Sequence, residues 1–70
     1  VNKIVAIMAG SVYKILVKPG DQVEAGQDVV ILESMKMEIS VAVSSGGTVK
    51  EVIVSEGDFV DEGGLLIVLD

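Results

Sequence analysis

The second half of this chain repeats the first. A shift of 37 residues superimposes the halves without a gap. Gly10-Ser11-Val12 falls on Gly47-Thr48-Val49, and Ile15-Leu16-Val17 on Val52-Ile53-Val54. Gly20-Asp21 falls on Gly57-Asp58, Val23-Glu24 on Val60-Asp61, Gly26 on Gly63, and Val29 to Glu33 on Leu66 to Asp70. Residues 38–43 fall on residues 1–6, with Val41 on Ile4. Two apolar strands aligned by chance would not bring their glycines into register, so the match concerns backbone shape as well as polarity. Either half alone would leave an apolar face in water. The repeat therefore implies a quasi-twofold domain whose halves bury those faces against each other.

Within each half the pattern is strand, turn, short strand, turn, strand. Lys18-Pro19-Gly20-Asp21 has Pro and Gly at the centre, as a type II turn prefers, and Ser55-Glu56-Gly57-Asp58 keeps the glycine. Glu24-Ala25-Gly26-Gln27 and Asp61-Glu62-Gly63-Gly64 supply the second turn of each half. No helical period follows any of these glycines, so they are turn residues and not the start of a phosphate-binding loop. The predicted strands are 2–7, 11–17, 22–23, 28–33, 37–43, 47–54, 59–60 and 65–69. Alternation is partial at Val12, Lys14 and Leu16 and fades from Val29 to Leu32, as in strands of a tight sandwich core. Eight short strands with regular turns make an all-β domain, a small barrel or sandwich spanning residues 1–70 as one unit.

Composition narrows the chemistry. The 70 residues include no cysteine and no histidine, so a disulfide framework and a zinc site of the usual kind are excluded. A domain this short buries only ~60% of its unfolded surface, and its stability must come from packing of a half-apolar sequence rich in Val, Ile and Leu. Apolar runs such as Val29 to Leu32 and Leu65 to Leu69 fall far short of the ~20 residues of a membrane span. No signal peptide is recognisable, and a start at Val1 leaves a leader or larger N-terminal region open. The net charge of −6 disfavours nucleic acid, which is held through basic contacts to phosphate, and anionic membrane surfaces. It suits docking to larger, more basic proteins.

The equivalence breaks only at Ser34-Met35-Lys36-Met37, which joins the halves. In so short a connection Met35 and Lys36 occupy a tight hairpin turn, a position that is exposed and often functional. A lone lysine is ordinarily a solvated surface residue, and a methionine ordinarily fills core space. Both readings are weak here. No Gly, Pro, Asn or Asp eases the turn, and two methionines at one tip cannot both enter the core of so small a domain. Lys36 is the first candidate for covalent chemistry, and the methionines read as a tag for a partner.

The run Glu33-Ser34-Met35-Lys36-Met37 resembles the Glu-Ala-Met-Lys-Met attachment sequence of biotinyl domains. Met8-Ala9-Gly10 resembles the Met-Pro-Gly segment of the same family, and Gly20-Asp21, Gly26-Gln27, Gly47-Thr48-Val49 and Glu56-Gly57-Asp58 are similar to its turns. Length and the Ile31 to Glu38 run are most similar to the small free-standing biotin/lipoyl attachment proteins of bacilli. Ala9 and Ser34 depart from the family's proline and alanine without removing a needed group. The chain also lacks the thumb loop of some acetyl-CoA carboxylase carriers. The resemblance implies a flattened barrel of two four-stranded antiparallel sheets, with Lys36 on an exposed hairpin. It implies a cytoplasmic, non-catalytic carrier, a carboxylase subunit of the kind that serves fatty acid biosynthesis. A biotin–protein ligase would join biotin to Lys36, and the biotin would shuttle carboxyl groups between biotin carboxylase and carboxyltransferase. Met35 and Met37, with Glu33 and Glu38, would be read by the ligase. An ordinary lysine amine, with a pKa near ~10.4, is protonated at neutral pH, so activation must come from the ligase.

Three alternatives remain at this point. Lipoate could occupy Lys36 in place of biotin, or the lysine could accept either in a dual biotin/lipoyl attachment protein, although lipoyl domains usually present Asp-Lys-Ala there. Lys36 could be unmodified in a β-module for protein interaction. An oligonucleotide-binding barrel fits poorly, because it wants basic residues interleaved with aromatic platforms. The aromatics are Tyr13 and Phe59 alone, and Phe59 is expected in the core.

Overall fold

The computed structural model describes residues 2–70. Eight strands run through them: β1 (Asn2–Val5), β2 (Gly10–Ile15), β3 (Gln22–Val23), β4 (Asp28–Ser34), β5 (Met37–Ala42), β6 (Gly47–Val52), β7 (Phe59–Val60) and β8 (Leu65–Leu69). They form two four-stranded antiparallel sheets, ordered β1-β8-β6-β3 and β5-β4-β2-β7. A shift of 37 residues converts one sheet into the other, strand for strand. The halves interleave: β1 of the first half pairs with β8 of the second, and β7 of the second with β2 of the first. The expected equivalence of Glu38 with Val1 lies outside the described residues.

The core obeys the same symmetry. Buried Val12, Val29, Val30 and Leu32 line one sheet, and their twofold mates Val49, Leu66, Ile67 and Leu69 line the other. Ile4 with Val41, Ala6 with Val43, and Val23 with Val60 complete buried pairs. Each fully buried Val, Leu or Ile contributes about 1.5–3 kcal/mol by leaving water. Among the described residues no polar or charged side chain is buried, so no desolvation cost offsets that gain.

Four β-bulges explain the irregular alternation. Between Asp28 and Val30 the β4–β5 register slips by one, leaving Val29 as the extra residue. The equivalent slip between β1 and β8 leaves Leu66 extra. A bulge lets two successive side chains face the same way, and Val29-Val30 and Leu66-Ile67 are each fully buried. A second pair of bulges leaves Tyr13 extra in β2 and Lys50 extra in β6.

The predicted strands appear in the predicted order, with four of them shorter than expected. β1 stops at Val5, β2 at Ile15, β5 at Ala42 and β6 at Val52, because the chain there crosses to the opposite sheet. Beyond β2, Gly20 N–H donates to the Val49 carbonyl of the other sheet at 2.8 Å. The glycine turns are as expected. Asp21 N–H donates to the Lys18 carbonyl at 3.0 Å, Gln27 N–H to that of Glu24 at 2.9 Å, and Gly26 and Gly63 have φ of +87° and +83°.

Phe59 is not in the core; it is 68% exposed. β7 has two residues, and alternation turns Val60 inward and Phe59 outward. Tyr13 is also half exposed.

Candidate functional site

The connection between the halves is a two-residue β-hairpin. Ser34 pairs with Met37 as the last rung of the β4–β5 ladder, leaving Met35 and Lys36 as the loop. Both loop residues have positive φ, 53° and 65°. Two consecutive left-handed residues define a type I′ turn, whose twist matches that of the flanking strands. Such turns favour Asn-Gly or Gly-Gly. A residue with a Cβ is destabilised there by about 1–2 kcal/mol. Met35 and Lys36 are the only described non-glycine residues with positive φ. The strain is thus confined to the tip, as is common where backbone geometry serves function.

The side chains stand where that strain places them. Met35 is 91% exposed and Met37 is 64% exposed, so neither fills the core. Lys36 is exposed, and none of the side-chain hydrogen bonds among the described residues involves it. The amine is therefore reachable from solvent on a short, hydrogen-bonded mount. One rung below the tip, Glu33 pairs directly with Glu38, and both are exposed. Like charges directly opposite are destabilising in a ladder. The scaffold gains nothing from either choice, at the tip or below it. The structure brings together all five residues singled out from the sequence: Glu33, Met35, Lys36, Met37 and Glu38.

Gly10 also belongs to this site, and the motif reading gave it no role. A Cβ at Gly10 would stand 2.7 Å from the Glu33 carbonyl oxygen and 3.4 Å from Ser34 Cβ. The missing side chain lets β2 pack closely against the base of the hairpin. Its coincidence with Gly47 in the repeat and its place in the Met8-Ala9-Gly10 segment were the sequence signals.

A family model described as "Biotin-requiring enzyme" matches residues 2–69. The chain is 58% identical over 62 residues to the biotin/lipoyl attachment protein of Bacillus subtilis, covering 89% of this chain and 85% of that protein. The structure resembles part of the Kluyveromyces lactis urea carboxylase, with a TM-score of 0.92 and 33% identity, covering 99% of this chain and 6% of that one. It also resembles the lipoyl domain of the 2-oxoglutarate dehydrogenase complex from Azotobacter vinelandii, with a TM-score of 0.74 and 33% identity, covering 91% of this chain and 81% of that domain.

Proposed function

The chain belongs to the biotin/lipoyl attachment family, and from that membership we propose that it is a biotin carboxyl carrier whose attachment point is Lys36. The observation that carries the assignment is the placement of Lys36. Its amine stands exposed on a left-handed hairpin tip at the one break in the repeat. The residues fit a covalently attached acid, because the tip offers a reachable primary amine on a rigid ladder.

Attachment requires an activated carboxyl group. A biotin–protein ligase supplies it as an acyl-adenylate. The Lys36 ammonium gives up two protons, its nitrogen bonds the acyl carbon as an amide, and AMP leaves with the bonding electrons of the broken anhydride. Met35 and Met37 present apolar contacts on either side of the amine. Glu33 and Glu38 present a paired acidic rung below it. These four residues identify the target lysine to the ligase, and none needs to perform chemistry. When bound, biotin supplies a ureido ring that accepts and gives up a carboxyl group. The domain's part is to hold that arm on an unyielding tip and carry it between a biotin carboxylase and a carboxyltransferase. Tethering raises the arm's effective concentration at both sites.

Lipoate on the same amine is the second reading, supported by similarity to a biotin/lipoyl attachment protein. The biotin reading is tested by incubating the protein with a biotin–protein ligase, biotin and ATP, then probing with streptavidin. Wild type should be labelled, and Lys36→Arg should be folded but blank, because a guanidinium does not form this amide. Labelling of Lys36→Arg would place the site elsewhere.

A further inference from the structure

The quasi-twofold provides an internal control for surface residues, since positions outside the 34–37 connection have a mate in the equivalent scaffold environment of the other half. Leu16 and Ile53 are mates and are equally exposed, at 44% each, so their exposure belongs to the scaffold. Phe59 and Tyr13 differ from their mates. The mate of Phe59 is Gln22, and the mate of Tyr13 is Lys50. The fold is satisfied by polar residues at both positions, so neither aromatic is required for packing. Both stand on the sheet that carries the hairpin tip. Ile7, whose mate is Ser44, is likewise exposed, in the connection that runs into Gly10.

The registers connect the aromatics to the tip. Glu38 pairs with Glu33, Glu33 with Ser11, and Ser11 with Phe59. These four residues form one rung across the sheet, directly below the Ser34–Met37 rung that closes the turn, and all four are exposed. Phe59 thus lies two strand spacings from Glu33, roughly 10 Å. Tyr13 lies two residues along β2 from Ser11, diagonal to Phe59 and within reach of an aromatic side chain. Two acidic residues at one end of the rung, and Phe59 with Tyr13 beside it at the other, form a mixed apolar and acidic outer face that runs up to the base of the hairpin tip.

We infer that this outer face, centred on Phe59 and flanked by Tyr13, is a docking surface for the ligase that acylates Lys36. The inference rests on the assignment of Lys36 as the acceptor. It commits to the ligase because amide formation brings the ε-nitrogen itself to bonding distance of the acyl carbon. The ligase must therefore abut the tip. A stable footprint covers about 800 Å² on each partner, nearly 30 Å across, whereas this domain measures only 31 × 19 × 18 Å. A partner centred on Lys36 covers Phe59 unless it avoids the sheet face altogether. The matching chemistry on the ligase is an apolar recess for Phe59 beside basic groups facing Glu33 and Glu38.

The test exchanges residues with their mates. Phe59→Gln and Tyr13→Lys install what the other sheet already carries, so both variants should melt like wild type. Steady-state acylation is then measured with purified biotin–protein ligase, biotin and ATP, varying the carrier. Phe59→Gln should raise KM for the carrier roughly tenfold, the usual effect of losing an aromatic anchor, with kcat little changed. Tyr13→Lys should give a smaller rise, and Gln22→Ala on the other sheet none. An unchanged KM for Phe59→Gln with normally labelled wild type overturns the docking surface and leaves the acceptor assignment intact. Wild type that takes no label removes both.

Discussion

The left-handed tip predicts that the protein is less stable than its fold allows, and by a calculable amount. Met35 has φ of 53° and is 91% exposed, so replacing it loses almost no burial. Asn tolerates the left-handed region and is preferred in type I′ turns. Met35→Asn should therefore recover most of the roughly 1 kcal/mol that a Cβ-bearing residue forfeits there. For a domain of 60–100 residues, 1 kcal/mol corresponds to about 4–8 °C in Tm. Met35→Gly should gain less, because relief of strain is offset by the greater freedom of glycine in the unfolded chain. The expected order of thermal stability is Asn, then Gly, then wild type, followed by circular dichroism and checked by urea unfolding with an unchanged m-value. The same variants should be poorer ligase substrates, since they remove an apolar contact beside Lys36 while leaving the amine in place. A Tm for Met35→Asn equal to or below wild type would refute the claim that the turn is strained by its own residues. A gain in both stability and labelling would refute the claim that Met35 is kept for recognition.

Two further substitutions probe the mount. Gly10→Ala places a Cβ 2.7 Å from the Glu33 carbonyl and should cost about 1–3 kcal/mol as overpacking; amide exchange should show β4 loosening near the tip, and an unchanged Tm would contradict the close approach. Gly26→Val and Gly63→Val meet no atom within 4 Å of the new Cβ. The positive φ sets their cost, at least about 1–2 kcal/mol for a β-branched residue. Because the two turns are mates, the two variants should lose similar Tm, and a large loss in only one would contradict their equivalence.

The glycines and the 37-residue shift carried most of the architecture, because turn geometry and strand spacing are written in residues that coincide between halves. The tip was legible for the opposite reason, as a hairpin with none of the residues that ease one. The bulges were not legible. Nothing in Val29-Val30 or Leu66-Ile67 marks which residue is extra, since that depends on how partner strands slide in three dimensions. They also account for the fading alternation noted there. Phe59 was misplaced because aromatic residues favour burial in general. Its mate Gln22 already held the correct answer, as an exposed polar residue at the same scaffold position. Gly10 stood out in the repeat and in a motif but without a role at the site, because a close approach between β2 and the Glu33 carbonyl is invisible without the β2–β4 register.

Lys36 is proposed to receive biotin because of where and how the chain presents it. The most direct measurement offers the protein both a biotin–protein ligase with biotin and a lipoate–protein ligase with lipoate, each with ATP, and follows intact mass with peptide mapping. A single biotinyl increment located on Lys36 is expected, with lipoylation slower or absent. A lipoyl increment without a biotinyl one, or biotin on any other lysine, would contradict it.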